Sequence, residues 1–589
     1  MDPSQRRLLH IAGILGATAV AAYGISKVFS RTAPSSSDKY PINVGSYSWK
    51  HVTTSSICQL WCDRGWVWVH GFHRQEASDC FQTAIQHDPN CAMAHYGLAL
   101  VNGPDYNFTA KGGFYTLAAK KSGYPSLNVA VNALKQALNI TDASKNWTGP
   151  PQHRALIEAL CERYEYPVKD TTANKQIEYR NAMRKVAKKY PNIPEIQAIY
   201  AESVMCLSPW KLYDNQTTNP TPNIYGQECK IALDRGLTAS PSHFWLCHLK
   251  THYCEMGKVE DFDWDAANAL RYSETHEIGH LLHMPTHLDI QSGDYKNAID
   301  WNIKGYNADL KLIQAFPDKN LVLYVGYLVH NMEFCAWAAM YGGNYAKAMA
   351  AIGGIDTIVS DDILVSSDRS AQRMELYRST RIMCLIRFGK WDEILNDLEF
   401  MQDKKTFLSH TLFLHYGRGI AFSALGQIVE AKQEQELFLQ MLSTLKIDDR
   451  IKHNVEIVEM ANIARDILDA EIKYRENKYE QAFVLLTNAI QLFTDLPYDE
   501  PHGWLMSPRH TLGALLTEQK QYERAVAVYE CDLIQFPNNP WSLSGVSFVL
   551  LSTSCRVFLE NTKNFFFYFF FLIKVTNMLR QTRYGRKEW

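Results

Sequence analysis

The sequence predicts an all-α fold, an array of helical hairpins wound into a superhelical solenoid. Three observations predict it. Small residues, aromatics and prolines recur at fixed offsets within windows of about 34 residues. Glycine and proline are sparse inside those windows. No convincing strand run appears. Small side chains let the two helices of a hairpin approach closely. Proline stops the second helix, because it lacks an N–H and clashes with the preceding turn. Each hairpin leaves an apolar face that only a neighbouring hairpin can cover, so one hairpin implies an array.

The elements follow in chain order. Residues 1–30 read as a hydrophobic anchor or targeting segment. Leu8 to Ser26 contains no Asp, Glu, Lys or Arg. At ~1.5 Å per residue it nearly spans a hydrocarbon core of ~30 Å. A retained anchor is the favoured reading. A cleaved signal peptide, with the weak site Ala19-Val20-Ala21, and an organelle presequence are the alternatives. Arg6, Arg7, Lys27 and Arg31 flank the segment on both sides, so charge does not set its orientation. Short, weakly apolar anchors with basic flanks resemble those of mitochondrial outer-membrane proteins, which would place the body in the cytosol. Residues 31–46 read as a polar linker.

Residues 47–545 form the array. Counting from Cys58, Gly65, Ala77, Phe81, Ala84 and Pro89 fall at positions 8, 20, 24, 27 and 32 of the unit. From Met506, Gly513, Ala525, Tyr529 and Pro537 repeat positions 8, 20, 24 and 32. Gly419, Gly426 and Ala431 mark a third unit, and Ala470, Ala482 and Ala489 a fourth. Weaker units centre on Ala298 and Ala348, and the stretch around Ile394 has lost its small residue. Roughly 10–14 hairpins fit this length, with degenerate central units. This pattern is that of the tetratricopeptide repeat. Residues 546–589 depart from it. Asn564 to Lys574 reads NFFFYFFFLIK, too short to span a bilayer and an aggregation hazard if exposed. It resembles translated intron sequence, so the native reading frame is expected to end near Gly545, the tail being a gene-model artefact.

Charge and composition narrow the function. The chain has 589 residues, with 60 Lys+Arg against 62 Asp+Glu and a net charge of −2. No global field would attract nucleic acid, and none is expected as a partner. The 13 cysteines are scattered without a CxxC pair, which favours a reducing compartment. There is no Gly-rich phosphate loop, no G-x-S-x-G and no basic-aromatic stripe.

Residues 243–290 hold seven of the 20 histidines. His248, His252 and Glu255 stand at i, i+4 and i+7, within an arc of about 60° on a helix. His280, His283 and His287 stand at i, i+3 and i+7, again one face. If both helices line the same wall, the two faces converge. Imidazole plus carboxylate suits zinc or another first-row divalent ion, the one cofactor the sequence points to. A buried polar network that satisfies itself explains the same residues, and both readings stay open. His276-Glu277-Ile278-Gly279-His280 is a formal H-E-x-x-H, which on a helix would make Glu277 a general base. No sheet accompanies it, and Pro285 should end the helix near Met284. A metalloprotease is therefore disfavoured.

Two further places carry weaker signals. Asp105, Tyr106 and Asn107 could point into a groove, although turn chemistry explains such residues without a ligand. Trp504 and Arg509 could bind an acidic or aromatic group.

Four motifs resemble those of large tetratricopeptide-repeat domain proteins. Residues 70–108 resemble the family's N-terminal block, with His73 and Glu76 matching Asn/His-x-x-Glu-Ala. HLKTHYCE (248–255) matches His-x3-His-x2-Glu. GHLLHMPTH (279–287) is similar to a Gly-His-Leu-x-His-Met-Pro-Ser-His signature, with Thr286 in place of Ser. EPHGWLMSPRHTLGALL (500–516) resembles a Glu-Pro-x-x-Trp-x-x-Pro-x-Arg block. The resemblance implies the fold and a site, not a reaction.

The leading expectation is therefore a scaffold that binds a protein or peptide partner in its concave groove. The alternative is a metal-binding protein or metal-dependent hydrolase using residues 248–287. A purely structural adaptor is the third. Geometry decides among them. Ring nitrogens from both helices within about 4–5 Å of one point would admit a metal. Dispersed or sealed side chains would favour the scaffold.

Overall fold

A computed structural model describes residues 40–107, 127–142, 147–164, 173–214, 219–272, 277–317, 322–359, 374–396, 407–445 and 450–560. The fold is all-α. Among the described residues the one sheet is a two-stranded pair, Tyr213–Asp214 against Thr221–Pro222. The chain divides into two compact units where the sequence reads as one array. The first comprises Ser30–Leu288 and Lys304–Tyr327. The second holds Asp289–Ile303 and Leu328–Trp589.

The first unit opens with the hairpin Ser56–His70 and Arg74–His87. Ser55 caps it, its hydroxyl accepting the Cys58 N–H at 3.1 Å. Phe81 is fully buried, and its ring explains two glycines. A Cβ on Gly65 would lie 2.9 Å from that ring, and one on Gly97 would lie 2.4 Å from it. The second unit repeats the device. Tyr529, in the hairpin Pro508–Glu518 and Tyr522–Gln535, has Gly513 and Gly545 against it, where Cβ atoms would approach to 2.5 and 2.4 Å. The aromatic at position 24 thus packs on glycines of the helices before and after its own. Gly513→Ala should overpack this contact and cost about 1–3 kcal/mol. The check is a lowered denaturant midpoint at unchanged slope; an unchanged midpoint would show that the ring steps aside.

The hairpins Leu408–Ala424/Ile428–Leu445 and Ile457–Arg475/Tyr479–Asp495 sit where the repeat positions predict them. Ala431, Ala470, Ala482 and Ala489 are fully buried at their crossings. Ile394 is also fully buried, so a larger side chain fills that degenerate unit. The helix Pro540–Glu560 runs on past Gly545, with Val546 and Val549 buried. Position 545 is therefore not a structural boundary. The aromatic run at 564–574 and the expected anchor at 1–30 lie outside the described residues. No helix among the described residues is long and apolar enough to cross a membrane.

Residues 40–46 are not a free linker. Ile42 and Val44 are buried and Pro41 and Asn43 exposed. This short alternation lays one side on the first unit, with the Tyr40 ring edge-on to Trp61 at 5.6 Å.

His51 and His153 lie together in the first unit, ring centroids 5.8 Å apart. The Trp66 indole N–H donates to His51 Nε2 at 2.9 Å, which requires a neutral acceptor nitrogen. Burial pulls His51 down to about 3 and His153 down to about 4. Both folded values lie below the unfolded value near 6.5. Their stabilisation is thus complete above that value and is lost as pH falls toward the folded values, by about 1.4 kcal/mol per pH unit per ring. Urea midpoints should fall between pH 6.5 and 5, and His153→Gln should flatten the slope; an equally steep slope in that variant would contradict the assignment.

Candidate metal centre

The helix Phe244–Cys254 carries His248 and His252, and Glu255 follows as its C-terminal cap residue. Gly279–His283 is a single turn that ends at Met284, as Pro285 dictates, and a new helix spans Thr286–Ser292. The spacing of His280, His283 and His287 is therefore carried by two short helices, not one. The structure still brings all six residues into one network. His248, His252, Glu255, His280, His283 and His287 are 0–3% exposed.

His248, His252 and His280 form its centre. One ring nitrogen from each lies within 4.8 Å of the others. Their partners set the tautomers. His248 Nδ1 lies 2.6 Å from the carbonyl oxygen of His70, so it must carry the proton. His252 Nδ1 donates to Glu255 Oε1 at 2.9 Å. His248, held neutral by burial, then keeps a lone pair on Nε2, and His252 in its neutral form does the same. His248 Nε2 and both His280 nitrogens are buried without a hydrogen-bond partner among the described residues. Burial, reinforced by the neighbouring imidazoles, holds His248 and His280 well below the ordinary histidine value, so both remain neutral.

The other three residues stand behind this centre. Glu255 Oε2 lies 2.8 Å from His287 Nδ1. His287 Nε2 lies 2.7 Å from His283 Nε2. One carboxylate thus orients two imidazoles, an arrangement that suits ligands needing fixed ring orientation. Aromatic rings close the site. Phe72 lies 4.4 Å from His248, Tyr106 4.8 Å from His252 and Tyr327 4.8 Å from His280, between centroids. Phe72 has φ +58 in the turn after the first helix, a conformation unfavourable for a bulky residue and held by its surroundings.

The remaining predicted residues fall elsewhere. Glu277 is not at the centre. It pairs with Lys311 and the Asn43 N–H, and regular helix begins only at Gly279, which removes the H-E-x-x-H geometry; His276 lies outside the described residues. His73 and Glu76 are buried, with His73 Nε2 3.9 Å from Asp309. Asp105 is buried against Arg74, and the Tyr106 hydroxyl accepts the Trp210 N–H at 2.9 Å. Asn107 is half-buried beside them. In the second unit Trp504 is fully buried, and Arg509 donates to Gln535 at 3.0 Å and Thr494 at 3.2 Å. These residues thus serve the interior instead of an open groove wall, the Asn107 side chain excepted. Sequence reasoning missed Phe72, Tyr327 and the His70 carbonyl. Covering rings and a backbone acceptor leave no spacing signal, and only the HGFH turn (70–73) hinted at them.

No family model and no curated protein matches the chain. Solved structures do. The human IFIT1 dimer with m7Gppp-AAAA is 13% identical over 90% of this chain and 91% of that one, at a TM-score of 0.29. The human IFIT1 dimer with PPP-AAAA is 12% identical over 85% and 92%, at 0.26. The yeast Tom70 structure is 9% identical over 85% and 90%, at 0.24. Similarity at this level carries no functional argument, and the fold rests on the chain's own helices.

Proposed function

We propose that the chain is a helical-repeat scaffold whose first unit is built around a divalent metal ion, zinc, on His248, His252 and His280. One observation carries this reading: three buried imidazoles, two of them held neutral by burial, present nitrogens to one another within 4.8 Å. Lone pairs facing one another in an apolar setting repel, and a cation between them turns that cost into ligation. Tetrahedral zinc with Zn–N of about 2.0–2.1 Å needs nitrogens about 3.4 Å apart, within reach of modest ring rotations. The covering Phe72, Tyr106 and Tyr327 rings favour an ion that staples helices together over one that turns over substrate.

Membership in the large tetratricopeptide-repeat family with the His-Met-Pro-Ser/Thr-His signature belongs to the same proposal. It gives two members of that signature, His283 and His287, the task of orienting Glu255, and His280 that of ligand. A protein or peptide partner of the array would be met by residues other than the interior ones above.

Thermal unfolding with chelator and with restored zinc tests the reading. An ion present at 100 times its dissociation constant stabilises by about 2.7 kcal/mol, so chelation should lower the Tm and zinc should restore it. Identical curves would refute it.

A further inference from the structure

The second unit contains a cavity of about 320 Å³. The helix Thr380–Arg387, the hairpin helices Leu408–Ala424 and Ile457–Arg475, and the segment running from Trp504 into Pro508–Glu518 contribute to its wall. Most of that wall is aromatic or aliphatic, with Tyr416, Trp504 and Trp541 prominent. Arg387 stands among them. Its guanidinium carbon lies 3.7 Å from the centre of the Trp541 ring. Its Nη2 is sealed from solvent and makes no hydrogen bond among the described residues. The Oδ2 of the nearby Asp532 is engaged by His510 at 2.7 Å and Ser542 at 2.7 Å, and its buried Oδ1 makes no hydrogen bond among the described residues, so this charge offsets the guanidinium only from a distance. The indole N–H of Trp504 also lacks an acceptor among the described residues.

A guanidinium held this way is costly unless an anion completes it. Its planar fork matches a carboxylate. Among the described residues one cationic side chain, Arg387, lines the cavity, and Glu471 lines it too. A second negative charge on the ligand would therefore meet repulsion, which argues against a phosphate dianion. The volume sits at the small end for ligand sites of about 300–1,000 Å³.

We propose that this cavity binds a small organic monocarboxylate with an aromatic or alicyclic body, its carboxylate on Arg387 and its ring among the tryptophans. The proposal is independent of the metal reading. It also reassigns the Arg–Trp pairing expected from the 500–516 segment: Trp504 lines the site, but Arg387 replaces Arg509.

The test is calorimetry and tryptophan fluorescence on the full chain, with phenylacetate, indole-3-acetate and cyclohexanecarboxylate as probes. Their primary amides, inorganic phosphate and a short peptide with a free C-terminus are the comparisons. At least one acid should bind saturably, with its amide at least 10-fold weaker. Arg387→Met should erase that difference, and Arg387→Lys should retain part of it, in proteins whose melting confirms folding. Should Arg387→Met fail to fold, the acid–amide pair on the unaltered chain decides. Equal binding of acid and amide, no saturable binding of any acid, or phosphate binding as tightly would overturn the proposal. Binding of the peptide alone would also overturn it, by making the occupant a chain end.

Discussion

Glu255→Ala is expected to weaken the first unit and its metal site together. The carboxylate stands 2.9 Å from His252 Nδ1 and 2.8 Å from His287 Nδ1, fully buried. Its removal leaves the buried His252 N–H without its acceptor, costing about 1–3 kcal/mol, and takes the carboxylate away from His287. It also frees the His252 ring to rotate and removes the charge that enriches its Nε2. Loss of such a partner typically lowers metal affinity about 10–100-fold. Glu255→Gln should fall between, since an amide oxygen can still accept from His252 but carries no charge for His287. Denaturation midpoints and competition against a zinc indicator read the two effects separately. A drop in stability with unchanged zinc affinity would remove His252 from the ligand set.

Asp105→Ala carries the second large effect. Arg74 and Asp105 form an ion pair with both side chains 6% exposed, and Arg74 also donates to the Gly103 carbonyl. Arg163 donates to the Pro104 carbonyl in the same turn. Burial, with Asp105 nearby, raises Glu202 to about 7; removing Asp105 lifts part of that, so Glu202 offsets some of the lost charge and the effect lies toward the lower end of the cost of breaking a buried pair. Breaking one partner of a buried pair costs about 3–5 kcal/mol, because the other charge is left uncompensated. In a unit of this size that corresponds to a Tm lower by about 10 °C. A change below about 1 kcal/mol would mean that Arg74 relaxes to solvent.

The hairpins were legible because helix crossings demand small residues at fixed places. Gly65, Gly513 and Ala482 report local geometry, and local geometry recurs. Helical spacing likewise puts His248 and His252 on one helix with Glu255 at its end, whereas His280, His283 and His287, read as one face, are carried by two short helices parted at Pro285. What spacing cannot convey is what lies opposite. Asp105 and Tyr106 read as groove residues, yet Arg74 and Trp210, brought close only by the fold, draw them inside. Arg387 lies in no motif, and that its Nη2 makes no hydrogen bond among the described residues emerges only once the helices around it are in place. The short Tyr40–Val44 alternation was hidden by the Ser- and Pro-rich residues before it.

The most direct test of the account is the metal content of the purified protein, measured beside a His248→Ala, His280→Ala variant. The account predicts about one zinc per chain, lost in the variant together with the chelator-sensitive part of its stability. Metal-free protein whose stability responds neither to zinc nor to chelator would contradict it and leave the histidines as a hydrogen-bonded core.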